Sequence, residues 1–216
     1  NNESLFGTGI SAKLPTLNNP VKSKKTQINS STTPSKKDKE LVSFRNDGGT
    51  IWFETRKMTG GSRNILDLSM KSLVERGDPT GTEFDTGDSR VMRGGVEFFG
   101  LNPADTKKNK TITINFEGVD YTDNRILFPN GALANGTWRL QIKGISPIGK
   151  ITETFKLKGD NYLVEKIITF TKIKDDYYSM SVFPESEMNE FISSSVILAR
   201  NGVTTNSKRI GIIKNS

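Results

Sequence analysis

The chain has 216 residues, of which 33% are hydrophobic, and its formal net charge is +7. It contains no His and no Cys, which excludes imidazole general bases, thiol nucleophiles, disulfides and most zinc sites. No apolar run reaches the ~18 residues that a membrane-spanning helix needs. Carboxylate pairs, Ser-Lys pairs and oxygen-ligated cations remain as catalytic options. Because no residue spacing supports them, we expect no enzymatic activity and no cofactor.

Residues 1–40 form a polar segment rich in Asn, Ser, Thr, Lys and Pro. Its seven lysines and three acidic residues give a charge of +4, which leaves +3 of the total +7 for residues 41–216. Such a composition cannot bury enough apolar surface to offset its ordering entropy, so we predict a flexible basic arm. The segment has no Arg, and no aromatic residue lies among its lysines, which favours a tether or docking arm over a nucleic-acid-binding arm.

The stretch SLFGTGISAKLPTL, at residues 4–17, differs from the rest of this arm because it is partly apolar. Its apolar residues are Leu5, Phe6, Ile10, Leu14 and Leu17. A purely solvating tail has little reason to carry them. We therefore predict that this stretch docks on a neighbouring subunit and that residues 20–40 form an extended tether. About 20 extended residues span up to ~70 Å, so the docking site need not lie on the same protomer.

The folded body is predicted to begin at residue 41, within the stretch ELVSFRNDGGTIWFETR (residues 40–56). Two apolar runs flank Asn46–Gly49, a turn sequence that suits positive φ, so the stretch predicts a β-hairpin. In this interpretation Trp52 or Phe53 packs into the core, and the hairpin serves as scaffolding.

Further short runs rich in β-branched and aromatic residues follow, separated by Gly, Asn, Asp and Pro turn signals. The predicted strands are VEFFGL (96–101), TITINFEG (111–118), TWRLQIKGI (137–145), KITETFKLKG (150–159), EKIITFTKI (165–173) and YYSMSVF (177–183). One short helix is predicted in PESEMNEFISSS (184–195), where Pro184 suits a helix start. This pattern predicts an all-β fold, an elaborated β-sandwich of one unit or of two that divide near residues 145–160.

Two groups of residues are candidates for ligand sites. The turn-rich stretch GDPTGTEFDTGD (77–88) contains Asp78, Glu83, Asp85 and Asp88, and loop carboxylates suit Ca²⁺. The D-x-D-x-D-G spacing of a calcium loop is absent, however, so exposed turn carboxylates are the better interpretation and we predict no metal. Tyr121, beside the polar residues 122–124, is the best candidate for a surface aromatic that stacks on a sugar ring.

The order of the motifs resembles the N-terminal module of the baseplate upper proteins of tailed phages that infect Gram-positive bacteria. The similar motifs are FRNDGGTIWFE (44–54), ILDLSMKSLVERGDPTGTEF (65–84) and YYSMSVFPESEMNEFISSSVILARNG (177–202). The 40 polar residues ahead of the body and the long stretch 100–160 depart from that family's pattern.

This resemblance implies a structural virion protein of the tail tip or baseplate, made in the host cytoplasm. It would form a homo-oligomer, bind other virion subunits through sheet edges, loops and the arm, and support host attachment. Two alternatives remain open at this point. One is a carbohydrate-binding adhesion module that contacts host cell-wall glycans, and the other is a viral coat or decoration protein with a basic arm.

Overall fold

The structure is a computed structural model that describes residues 41–58 and 63–215. These residues belong to one compact unit, Lys39–Ser216, which includes the stretch 145–160 where a division was considered. The predictions for the arm at residues 1–40, including the docking residues between Leu5 and Leu17, lie outside the described residues.

In the described residues the chain forms thirteen strands and two short α-helices, which confirms the all-β prediction. The strands are β1 (Thr50–Glu54), β2 (Ile65–Leu68), β3 (Lys71–Arg76), β4 (Val91–Arg93), β5 (Lys110–Phe116), β6 (Val119–Leu127), β7 (Trp138–Gln141), β8 (Ile145–Ser146), β9 (Gly149–Lys150), β10 (Lys166–Lys174), β11 (Tyr177–Pro184), β12 (Ile197–Arg200) and β13 (Arg209–Ile213). The helices are α1 (Ile151–Lys158) and α2 (Met188–Ser194), and 3-10 segments occupy Gly95–Phe99, Gly131–Leu133 and Glu185–Glu187.

The strands form one large mixed sheet in the order β2-β7-β6-β5-β11-β10-β1-β13-β12-β3-β4. The pairing of β11 with β5 is parallel, whereas the other neighbours in this order are antiparallel. The small hairpin of β8 and β9 attaches to β6 beside this path. Because hydrogen bonds connect all the described strands, the two separate sheets expected for a sandwich are not confirmed.

The central strand β1 is buried on both faces of the sheet. Phe53 belongs to the main hydrophobic core, while Trp52 belongs to a second cluster on the other face. This follows from strand geometry, since successive side chains point to opposite faces. The Trp52 indole donates a hydrogen bond to Ser195 Oγ at 2.8 Å and lies against Gly211, where a Cβ would collide with it. Both aromatic residues therefore pack as predicted, each in its own cluster.

The predicted hairpin at residues 40–56 is wrong in its first strand. Strand β1 pairs with β10 and β13, and residues 41–45 instead contact a loop distant in sequence. The two carboxylate oxygens of Glu83 accept the backbone N–H groups of Phe44 and Arg45, each at 2.9 Å. The predicted turn is present, with Gly48 at φ 76°. A buried charged side chain thus replaces strand pairing at this point.

Two other predicted strands are helical. VEFFGL forms the 3-10 segment Gly95–Phe99, which buries consecutive apolar residues, and KITETFKLKG forms α1. Ile151 and Phe155 are buried at helical i, i+4 spacing in α1, and Glu153 accepts the backbone N–H of Lys150 at 3.0 Å. By contrast, the predicted helix in residues 184–195 is present as Glu185–Glu187 followed by α2.

Candidate functional site

The three aspartates considered as metal ligands stabilise turns. Asp78 accepts the backbone N–H of Thr80 at 2.9 Å. Asp85 accepts the backbone N–H groups of Gly81 and Gly87 at 2.8 and 2.7 Å. Asp88 accepts two hydrogen bonds from the Arg90 guanidinium, at 3.0 and 3.1 Å. The two backbone donors hold the pKa of Asp85 below its ordinary value. Within residues 41–58 and 63–215, no group of three or more acidic side chains could hold a metal ion.

Tyr121 is buried, so the prediction that it contacts a glycan at the surface is wrong. Its side chain is 1% exposed, and its hydroxyl forms a 2.8 Å hydrogen bond with Thr154 Oγ1 in α1. Tyr121 lies on β6 opposite Ile114 of β5, and both side chains enter the main core. The polar neighbours at 122–124 suggested exposure, but strand alternation and the cover provided by α1 decide the burial of this ring.

At the outer edge of each terminal strand, some backbone groups are already hydrogen-bonded. On β2, the Asn201 side chain donates to Asp67 O at 2.7 Å and accepts from Ser69 N at 2.9 Å. On β4, Arg93 N donates to Phe84 O at 2.9 Å. A strand from another subunit would have to displace these bonds before it could pair with either edge. This arrangement disfavours the sheet-edge contacts expected from the sequence and leaves loops and side chains as binding surfaces.

Three apolar side chains between residues 145 and 157 are exposed, in a stretch that also contains charged residues, and we call these three the exposed apolar segment. Ile145 and Ile148, in the β8–β9 hairpin, are 51% and 77% exposed, and Leu157 in α1 is 90% exposed. The helix is held in place by Phe155 on its buried face and by an ion pair of 2.7 Å between Lys158 and Glu117. Leu157 therefore points into solvent from an element that is anchored to the core.

A pocket of about 650 Å³, lined in part by the apolar side chains of Met70 and Val203, lies beside β2 and the loop between β12 and β13. We call it the β2-edge pocket. Its charged lining residues are Arg56, Asp67, Lys71 and Lys208, and the remainder of its lining is mainly hydroxyl, amide and glycine groups. Three cations and one carboxylate give this lining a formal charge of +2.

Two ion pairs border the β2-edge pocket. Arg56 Nε lies 3.2 Å from Glu54 Oε1, and Arg56 also donates to Asn206 O at 3.0 Å. Asp67 Oδ1 is buried and lies 3.8 Å from Arg139 Nε. Because the guanidinium of Arg56 is bound by Glu54 and the loop, its position at the pocket is defined.

Lys208 is the cation of the β2-edge pocket that is most affected by its surroundings. Burial lowers the pKa of Lys208, the neighbouring Arg56 lowers it further, and the carboxylates of Asp67 and Glu54 oppose that shift. Among the ion pairs of the described residues, none within 4.0 Å involves Lys208 or Lys71. The pocket therefore contains a desolvated ammonium group without a direct counterion.

Sequence reasoning missed the β2-edge pocket because its residues come from four distant segments. The one available signal was the motif ILDL (65–68), in which an acidic residue separates two core leucines. Strand alternation places Asp67 on the face opposite those leucines, away from the core. Nothing in the sequence pattern connects that position with Arg56 or Lys208.

Among the residues that the structure describes, no helix is long and apolar enough to span a membrane. Comparison with protein-family models gives no match, and comparison with curated proteins gives none either.

Proposed function

We propose that the chain is a structural protein of a tailed-phage virion, a tail-tip or baseplate subunit that binds neighbouring subunits and supports host attachment. The observation that carries the proposal is the exposed apolar segment at residues 145–157, presented by a folded body with capped sheet edges. The motif resemblance to baseplate upper proteins supplies the kind of assembly. Neighbouring copies of this chain and other virion subunits are the proposed partners.

The apolar segment suits a protein interface on energetic grounds. Fully burying an aliphatic side chain of this size contributes about 1.5–3 kcal/mol. Leu157 and Ile148 are both more than three-quarters exposed, so nearly all of that contribution is still available. Because α1 is anchored by Phe155, little conformational entropy would be lost when a partner covers Leu157.

The capped edges favour one mode of association over another. Strand addition through the backbone would accept many sequences, whereas side-chain contacts select a specific partner. A subunit of an ordered particle needs the second property. The burial of Tyr121, in turn, removes the residue on which the glycan-binding alternative depended.

Immunogold labelling of particles from the phage that encodes the chain tests the assignment. We expect an antibody against residues 41–215 to label the end of the tail. Label on the capsid, or particles that lack the protein while the infected cell contains it, would contradict the proposed role.

A pair of variants tests the apolar segment separately. We expect Leu157→Ser combined with Ile148→Ser to reduce oligomer formation, measured by light scattering after gel filtration, and to reduce incorporation into particles. Ile173→Ser is the matched control, since Ile173 is 57% exposed but lies on β10, outside the segment. Equal effects of the control and the double variant would refute a specific interface at residues 145–157.

A further inference from the structure

We propose that the β2-edge pocket binds a small hydroxylated organic anion, of the chemical class of a sugar phosphate. The inference is independent of the proposed virion role, because it concerns a different surface from residues 145–157. It rests on the size of the pocket, on the excess of cations in its lining and on the polar groups between them.

The volume of the pocket fits an organic molecule better than a simple ion. Small-molecule sites range over about 300–1,000 Å³, and the β2-edge pocket measures about 650 Å³. A lone phosphate or chloride would leave most of that space filled with water. A sugar-sized ligand would contact several walls of the pocket at once.

The charges of the lining select an anion. Lys71 and Lys208 line the pocket and have no ion pair within the part of the chain that the structure describes, while Arg56 is already paired with Glu54. A desolvated ammonium without a direct counterion is an unfavourable arrangement, which an anionic ligand would relieve. Phosphate is suited to a lining with an excess of cations because each of its oxygens can accept a charge-assisted hydrogen bond.

The remaining lining groups suit ligand hydroxyls. Asp67 lines the pocket, and its side chain is 29% exposed. A carboxylate oxygen can only accept, so it would repel a second phosphate oxygen but bind a hydroxyl. The side chains of Thr137, Asn206 and Ser207 add further donors and acceptors to the lining. This combination favours an anion that also carries hydroxyl groups.

Titration calorimetry on the full chain at low ionic strength tests the inference with three probes: glucose 6-phosphate, glucose and inorganic phosphate. We expect glucose 6-phosphate to bind more tightly than either of the others. Equal binding of glucose would show that no anion is recognised, and equal binding of inorganic phosphate would show that the hydroxyl groups are not recognised. Either result, or no binding of the sugar phosphate at millimolar concentration, would overturn the proposal.

Lys208→Met is the decisive variant, because it removes the ammonium group and keeps much of the side-chain volume. We expect it to weaken binding of glucose 6-phosphate at least ~10-fold while the denaturation midpoint stays the same or rises, since a desolvated charge has been removed. Lys143→Met is the matched control, an exposed lysine outside the pocket, and should bind as wild type. Wild-type affinity in Lys208→Met would contradict the site.

The pH dependence supplies an independent measurement on the wild-type chain. Only the protonated form of Lys208 attracts the anion, and its pKa is lowered, so affinity should begin to fall at a pH below the ordinary lysine pKa of about 10.4. The phosphate ester is a dianion throughout the alkaline range. The fall should be absent in Lys208→Met, and a fall of the same size in the variant would assign the pH dependence to another group.

Discussion

Replacing Asn124 by alanine should destabilise the body by several kcal/mol, because this buried amide connects three parts of the chain. Its side chain is 0% exposed. The Nδ2 group donates to Tyr121 O at 2.8 Å and to Ile112 O at 3.3 Å, while Oδ1 accepts from Lys143 N at 3.1 Å and Gly144 N at 2.8 Å. These bonds lie at the register shift between β5 and β6 and at the end of β7.

The magnitude follows from these four hydrogen bonds. The three shorter bonds contribute about 1–1.5 kcal/mol each, and their loss leaves buried backbone groups without partners, so a total of about 3–5 kcal/mol is expected. In a domain of this size each kcal/mol corresponds to about 2–4 °C, which predicts a decrease in Tm of about 6–20 °C. Denaturation in urea, followed by the fluorescence of the buried Trp52 and Trp138, measures the change in the free energy of unfolding.

Asn115→Ala is the control for this prediction. Its amide donates to Asp120 Oδ1 at 2.6 Å in an exposed position, where the expected cost is about 0.5 kcal/mol or less. Asn124→Asp adds a second test, since a carboxylate can donate to neither carbonyl, whereas a protonated carboxyl can donate to one of them. We expect this variant to be much less stable than wild type at neutral pH and closer to it in acid. A cost for Asn124→Ala below ~1 kcal/mol, equal to the control, would refute the reasoning.

Three further predictions concern other parts of the chain. Gly94→Ala should destabilise the body by more than ~3 kcal/mol in the same denaturation assay, because the new Cβ would collide with the backbone carbonyl of Ser69. A wild-type denaturation midpoint would contradict the close approach of Gly94 to Ser69. Glu83→Gln should accelerate amide hydrogen exchange in residues 41–45 at least ~10-fold without changing exchange elsewhere, since an amide can accept only one of the two backbone N–H groups that the carboxylate now binds. Deleting residues 1–19 should leave the body folded, as judged by circular dichroism, and weaken assembly. If the deletion variant assembles as well as the wild type, the arm is only a passive tail.

The sequence by itself determined the all-β class and five of the thirteen strands in the described residues, namely β1, β5, β7, β10 and β11. In TITINFEG the apolar residues Ile112, Ile114 and Phe116 recur at every second position, and all three are buried in β5. The same reasoning identified β1, β7, β10 and β11, and the proline followed by acidic residues identified the helix near residue 188. These predictions succeeded because local spacing alone sets which side chains share a face.

The sequence failed where two periods fit the same residues. In KITETFKLKG, the apolar residues Ile151, Phe155 and Leu157 satisfy alternation, while the first two also satisfy helical i, i+4 spacing. Packing selects the helix, since α1 buries Ile151 and Phe155 against the core and leaves Leu157 in solvent. Short apolar runs do not contain enough turns to distinguish the two periods.

Only the tertiary structure decided which distant segments meet. Glu83 binds the start of the body in place of a paired strand, α1 covers Tyr121, and the β2-edge pocket joins Arg56 and Lys208 to Asp67. Local propensity is silent on such contacts, because they depend on the strand order of the whole sheet and on which loops that order brings together. The sequence therefore determined the fold class and the faces of five strands, whereas the sheet order determined the β2-edge pocket, since its four segments are neighbours only after folding.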